Sequence, residues 1–166
     1  MERREFLAAA AGSLATAATT GLFSTTAFAA EKALEHKLLV SDKKVLAKMA
    51  AVAKAASECV TAAQACIQHC NEQLIAGNGK EFATCVLASH QMVAVCEMTS
   101  TLASYKAVAL ANFLEGCIKV CETCRVACKE HEKHFSMGMH DECKRCMESC
   151  AACIKACTDL KADLKA

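Results

Sequence analysis

Proline and large aromatic side chains are scarce in this 166-residue chain. It contains no proline and no tryptophan, and aromatic residues make up 4% of it. Beyond residue 29 the large aromatic residues are Phe82, Tyr105, Phe113 and Phe135. A protein core usually relies on large aromatic and aliphatic groups, so smaller side chains must line this one. The formal net charge of +1 gives no electrostatic footprint for nucleic acid or for an anionic membrane surface.

Cysteine is the residue that the chain has in excess. Fourteen residues are cysteine, near the density that indicates a cysteine-built scaffold. Nine of them form two runs in which neighbours are three or four residues apart. The runs are Cys117, Cys121, Cys124, Cys128 and Cys143, Cys146, Cys150, Cys153, Cys157. Because residues three and four apart share one face of an α-helix, each run predicts a helix with a stripe of thiols along one side.

Two further amphipathic helices precede these runs. Ser41 and Asp42 form an N-cap signal and Gly77 a stop signal, and the second helix is predicted over residues 80–103. The face of the first helix changes from aliphatic to thiol along its length. The two stripes are Met49, Val52, Ala56, Cys59, Ala63, Cys66, Cys70, Leu74 and Phe82, Cys85, Ser89, Met92, Cys96, Thr99, Ala103.

The four helices together predict the fold class. The third is expected over residues 104–135 and the fourth over residues 139–164, with a break at residues 136–138. Four amphipathic helices joined by short turns favour an all-α fold, an antiparallel up-down four-helix bundle over residues 41–166 with a cysteine-lined core. Val52, Leu110, Leu160 and Leu164 are expected to close the end opposite the 136–138 break.

The first 29 residues have the anatomy of an export signal. Residues 3–7 read RREFL, a twin-arginine pattern, and an alanine- and threonine-rich run leads to an A-x-A site at residues 27–29. That run is too short for a membrane-spanning anchor. We therefore predict a twin-arginine signal peptide over residues 1–29 and an arm or short extra N-terminal helix over residues 30–40. The protein is expected in the periplasm or another extracytoplasmic compartment, with no membrane insertion.

Thiols inside a helical bundle require an explanation, because each missing methylene gives up about 0.8 kcal/mol of hydrophobic stabilisation. Soft thiolate and thioether ligands select Cu(I). If each thiolate bridges two coppers, the capacity approaches one copper per cysteine, about 14 ions at most. The predicted metal ligands are Cys59, Cys66, Cys70, Cys85, Cys96, Cys117, Cys121, Cys124, Cys128, Cys143, Cys146, Cys150, Cys153 and Cys157, with Met92, His131 and Met139 as further candidates. The alternative for Met92 is a side chain that fills a gap in the core.

The chain resembles the copper storage proteins, a family of cysteine-rich four-helix bundles, and in particular their exported branch. The resemblance covers the whole bundle. It rests on the C-x6-C-x3-C spacing of Cys59, Cys66 and Cys70, on the helix with Cys85 and Cys96, and on the CxxxCxxCxxxC runs. It implies many Cu(I) ions stored inside each bundle, a homotetramer, and the supply of copper to a cuproenzyme.

Imidazole and thioether groups gather near the 136–138 break, where copper could enter and exchange. This group consists of His131, His134, Met137, Met139 and His140, with His69 beside Cys70 on the first helix. Histidines on the surface and a methionine at a helix cap would give the same pattern without binding metal.

Three other functions fit parts of the pattern. An even number of cysteines in an exported chain also suits a disulfide-stapled helical protein, and groups of four cysteines suit zinc buffering. Iron–sulfur binding is disfavoured, because bacterial ferredoxin-type runs end in a proline that this chain lacks. No nucleophile–base pair, phosphate loop or pair of acids is recognisable, so no catalysis is predicted.

Overall fold

The computed structural model describes residues 40–164. Within them the helices are α1 (Lys43–Ile75), α2 (Lys80–Ser104), a short 3₁₀ helix (Val108–Asn112), α3 (Leu114–Lys129), α4 (Glu132–Phe135) and α5 (Asp141–Leu164). This part of the chain contains no strand, so the all-helical prediction is confirmed. The predicted signal peptide and nearly all of the predicted arm lie outside the described residues.

The four long helices, α1, α2, α3 and α5, pack around one core. On α1 and α2, Ser57 pairs with Ser100 at 2.8 Å between hydroxyl oxygens, and Cys66 pairs with Cys85 at 3.5 Å between sulfurs. From the first contact to the second, the residue number increases on α1 and decreases on α2. The two helices therefore run in opposite directions. The pairs between α3 and α5 follow the same descending order.

The ends of α1 follow from local chemistry. The carboxylate of Asp42 accepts a hydrogen bond from the backbone N–H of Val45 at 2.9 Å, which satisfies one of the free donors at the start of the helix. At the other end Gly77 adopts a φ of +80°, and the N–H of Asn78 donates to the carbonyl of Gln73. A left-handed glycine of this kind is the common way to end a helix.

The predicted third helix is wrong over much of its length. Residues 105–113 do not continue a helix from Ser104 but form a turn and the 3₁₀ helix, with Lys106 at a φ of +58°. The chain needs this connection to bring α3 back alongside α2. At its other end α3 stops at Lys129, and residues 132–135 form the separate α4.

One end of the core is closed by aliphatic side chains. Val52, Leu110 and Leu160 are fully buried there, as the sequence predicts, and Leu114 joins them. Leu164 was expected in the same plug but is 39% exposed, because it lies in the last turn of α5. We call the fully buried side chains Val52, Leu110, Leu114 and Leu160 the aliphatic plug.

Candidate metal centre

All fourteen thiols lie inside the bundle with no exposed surface. They form five groups in which every sulfur is within 4.8 Å of the others. The groups are Cys59, Cys96, Cys121, Cys153; Cys66, Cys70, Cys85, Cys143; Cys66, Cys128, Cys146; Cys117, Cys153, Cys157; and Cys124, Cys146, Cys150. Every cysteine of the chain belongs to at least one group, so the stripes predicted on separate helices meet in the core and form its sulfur lining.

The thiols are free. The sulfurs of Cys66 and Cys85 are 3.5 Å apart and those of Cys124 and Cys146 are 3.6 Å apart, whereas a disulfide needs about 2.05 Å. All fourteen cysteines are unpaired. This arrangement does not favour the disulfide-stapled alternative.

Contacts between helices are tighter than contacts along one helix. Cys66 lies 3.9 Å from Cys70, its neighbour one turn away, but 3.5 Å from Cys85 on α2 and 3.7 Å from Cys143 on α5. The structure builds each group from two to four helices.

Three cysteines belong to two groups each: Cys66, Cys146 and Cys153. A thiolate can bridge two metal ions, so a shared cysteine links the sites on either side of it. The sulfur lining is therefore suited to clusters of soft metal ions rather than to isolated sites, each with four ligands that no other site shares.

Hydrogen bonds between thiols alter their acidity. Bonds to Cys117 and Cys153, followed by burial, raise the pKa of Cys157. Bonds from the surrounding thiols, Cys121 first, lower the pKa of Cys117. The thiol of Cys157 donates a hydrogen bond to the sulfur of Cys117 across 3.8 Å. Cys157 therefore keeps its proton, whereas Cys117 loses its proton more easily. A metal ion must displace such protons to bind.

Met92, a further candidate ligand, is fully buried on α2. Its Sδ lies 3.3 Å from the Sγ of Cys59. One turn earlier, the buried hydroxyl of Ser89 lies 3.5 Å from the sulfur of Cys124. Sequence reasoning placed Ser89 on the stripe but assigned it no role; its register among the cysteines was the available signal.

Four imidazoles meet at the end opposite the aliphatic plug; we call His69, His131, His134 and His140 the histidine cluster. Nε2 of His69 and Nδ1 of His140 are 2.8 Å apart. Burial, followed by the charges of the neighbouring histidines, lowers the pKa of His140, which keeps this imidazole neutral and able to bind a metal ion. The sequence placed both histidines near this end but did not predict their contact, which joins α1 to the residue before α5.

His131 and Met139 occupy different positions in this end. His131 is 2% exposed, and its Nε2 has no hydrogen-bond partner among the described residues. Met139 is 46% exposed and lines a cavity of about 230 Å³ together with His131, His134 and His140. Met137 is 61% exposed and does not line this cavity.

These features define a class of protein: a helical bundle with a thiol-lined interior that holds soft metal ions, closed by aliphatic groups at one end and bordered by imidazoles at the other. The family model for copper storage proteins matches residues 46–162, well over half of the chain. The chain therefore belongs to the copper storage protein family, and its cargo is copper.

The solved structures that are similar to this chain include two from Streptomyces lividans. A cytosolic copper storage protein loaded with five coppers has a TM-score of 0.63 and 25% identity, over 73% of this chain and 98% of that one. A copper storage protein loaded with 10 copper equivalents has a TM-score of 0.59 and 26% identity, over 69% of this chain and 84% of that one. Comparison with curated proteins gives no match.

The prediction of export to the periplasm or another extracytoplasmic compartment is wrong on this comparison, because the first of these similar proteins is cytosolic. A cytosol keeps thiols reduced, which suits a core of free cysteines. The leader on which the prediction rested lies outside the described residues. None of the helices within residues 40–164 is long and apolar enough to cross a membrane.

Proposed function

We propose that the fourteen cysteines are the ligands with which this member of the family stores Cu(I), at a capacity near one copper per thiolate. The observation that supports this is that every thiol is buried and belongs to a group of three or four sulfurs. At a ratio of one to one every thiolate bridges two ions: the shared Cys66, Cys146 and Cys153 would bridge ions of neighbouring groups, and the other thiolates would bridge ions within one group. The chain would thus act by binding, without catalysis.

We further propose that copper enters at the histidine cluster. The cavity there is bordered by His131, whose Nε2 is buried without a partner, and by the half-exposed thioether of Met139. Imidazole and thioether bind copper less tightly than a pair of thiolates, so they can accept an ion and pass it on. Cys70, Cys128 and Cys143 lie one to three residues from a histidine of this cluster, and the sulfur of Cys85 is 3.6 Å from that of Cys128. These four thiols would receive the ion.

Zinc is the second candidate cargo, because Cys66, Cys70, Cys85 and Cys143 could surround one ion tetrahedrally. Cys66 would then be a ligand of that zinc ion, and the group of Cys66, Cys128 and Cys146 would lose one of its three sulfurs. Zinc therefore uses the lining less completely than Cu(I), which accepts two or three bridging thiolates.

An anaerobic Cu(I) titration of the reduced protein tests the proposal, with thiols and copper counted on the same sample. We expect saturation near one copper per cysteine, about fourteen in all, with helicity unchanged because the apo protein already folds around the thiols. A plateau at two or three ions, or tighter binding of zinc than of Cu(I) in competition, would contradict it.

The homotetramer and the delivery of copper to a cuproenzyme are further proposals. Leu87 on α2 and Val126 on α3 are 65% and 58% exposed, which is apolar surface that association could cover. Light scattering measures the oligomeric state. Delivery is tested by mixing the loaded protein with an apo-cuproenzyme. We expect copper to reach the enzyme faster than it is released to solution.

A further inference from the structure

The groups of thiols fall into two sets that share no cysteine, which we call compartments; they meet where the sulfur of Cys59 lies 3.6 Å from that of Cys150. Groups overlap through Cys66 and Cys146 on one side and through Cys153 on the other, and no group contains a cysteine from both sides. The outer compartment consists of Cys66, Cys70, Cys85, Cys124, Cys128, Cys143, Cys146 and Cys150. The inner compartment consists of Cys59, Cys96, Cys117, Cys121, Cys153 and Cys157.

The two compartments lie at different depths. The outer one adjoins the histidine cluster, because Cys70 follows His69 directly and Cys128 precedes His131 by one helical turn. The inner one adjoins the aliphatic plug, because Cys117 and Cys157 are each one turn from a plug leucine. Copper that enters at the histidine cluster must therefore cross from the outer to the inner compartment.

Helix α2 has no thiol at the junction. It contributes Cys85 to the outer compartment and Cys96 to the inner one, eleven residues and about 16 Å apart along the helix. Between them Ser89 and Met92 are fully buried, and Ala88 is 6% exposed. Of these side chains, the thioether of Met92 is the soft donor.

Met92 contacts the inner compartment at the point where it meets the outer one. Its Sδ is 3.3 Å from the Sγ of Cys59, an inner thiol. The same sulfur of Cys59 lies 3.6 Å from that of Cys150, an outer thiol, and receives a hydrogen bond from the hydroxyl of Ser149 at 3.8 Å. One thioether and two thiols from different compartments thus converge at the junction.

We propose that Met92 is a relay ligand through which Cu(I) passes from the outer to the inner compartment; this rests on the proposed function. The step is a ligand exchange in which copper stays Cu(I). The ion leaves the thiolate of Cys150, binds a lone pair of the Met92 sulfur, and then replaces the proton of the Cys59 thiol, while Cys150 takes up a proton or the next ion. A thioether is neutral and carries no proton, so it binds the ion without a deprotonation step and releases it to a thiolate.

The variant Met92→Leu tests the relay, because leucine nearly conserves the volume but has no sulfur. Uptake is followed anaerobically as copper leaves a coloured Cu(I)–chelator complex. We expect two phases in the wild-type protein, and a slow phase retarded about tenfold or more in the variant, with the fast phase and the final capacity unchanged. The matched control is Met98→Leu, on the same helix but 39% exposed, which is expected to behave as wild type.

Two cysteine variants assign the phases. Cys128→Ala should reduce the amplitude of the fast phase, and Cys96→Ala that of the slow phase, since these residues belong to the outer and inner compartments. If Met92→Leu fills at the wild-type rate, Met92 only fills space and the relay is refuted. A low total capacity in the wild-type protein would instead count against storage on all fourteen thiolates.

A second measurement does not depend on the variant folding. In wild-type protein labelled with ¹³C at the methionine methyl groups, the Met92 resonance is assigned from its through-space contacts with core protons. We expect it to shift when copper begins to reach the inner compartment, while the resonance of Met98 stays in place. A Met92 resonance that is unmoved from the apo to the fully loaded protein would overturn the proposal.

Discussion

The phenyl ring of Phe82 lies flat against the imidazole of His131, with ring centroids 4.4 Å apart and 19° between the ring planes. The stacked ring holds the imidazole of a 2% exposed histidine at the border of the thiol lining. Phe82 and His140 also meet edge to face, at 5.3 Å between centroids. One aromatic side chain thus fixes the orientation of two imidazoles at the proposed entrance.

His131→Phe should slow copper uptake without reducing capacity. Phenylalanine keeps a flat ring against Phe82 but removes both nitrogen donors, so we expect the initial rate of uptake to fall about tenfold, the loss of roughly 1.4 kcal/mol of favourable contact in the rate-limiting step. Stopped-flow transfer from a Cu(I) chelator measures the rate. His90→Gln, on the exposed face of α2, is the control. Equal rates of copper uptake in the His131→Phe and His90→Gln variants would show that His131 takes no part in copper entry.

Cys66→Ala and Cys157→Ala should lose different amounts of copper. Cys66 belongs to two groups and Cys157 to one. At one copper per thiolate every thiolate bridges two ions, but Cys66 would do so between two groups and Cys157 within one. Loss of Cys66 weakens two groups, so we expect a loss of about two coppers for Cys66→Ala and about one for Cys157→Ala. Both thiols are fully buried, which makes the two variants comparable in folding. Equal losses, measured as copper per chain after gel filtration, would show that Cys66 does not join the two groups.

Copper affinity should fall as the pH falls. Hydrogen bonds to neighbouring thiols and burial raise the pKa of Cys157, so this thiol is protonated at neutral pH and must release its proton when copper binds. Acid favours the protonated apo form, and the affinity for each ion is expected to drop about tenfold per pH unit for every proton released. Competition with a chelator whose own pH dependence is known measures the slope. A flat profile would mean that the thiols are already deprotonated before copper binds.

Leu160→Ala should destabilise the apo protein by about 2–5 kcal/mol, because it leaves a cavity in the fully buried plug. Leu164→Ala, four residues further along α5 and 39% exposed, should cost less than about 1 kcal/mol. Urea unfolding of the copper-free proteins measures both. Copper binds the folded state, so loading should raise the unfolding midpoint of either variant. Similar costs at the two positions would show that Leu160 does not support the closed end.

The structure also shows where sequence reasoning stopped. The third helix was predicted over residues 104–135 because its stripe continues in register, but a turn and a 3₁₀ helix occupy residues 105–113. Periodicity reports which face of a helix is buried; it does not report where the chain must leave the helix to reach the next one. The export prediction failed for a different reason: a leader pattern is an address read by other proteins and places no physical constraint on the bundle.

The spacing of the cysteines determined that the thiols would line one face of each helix and that these faces would form the core, because a period of three and four residues repeats on an α-helix and on no other regular element. Only the tertiary structure decided which thiols meet. Cys66 contacts Cys85 and Cys143 more closely than its own neighbour Cys70, and His69 meets His140. Such contacts depend on how far each helix is shifted along its neighbours, which is set by the turns and by packing between helices rather than by the pattern within any one of them.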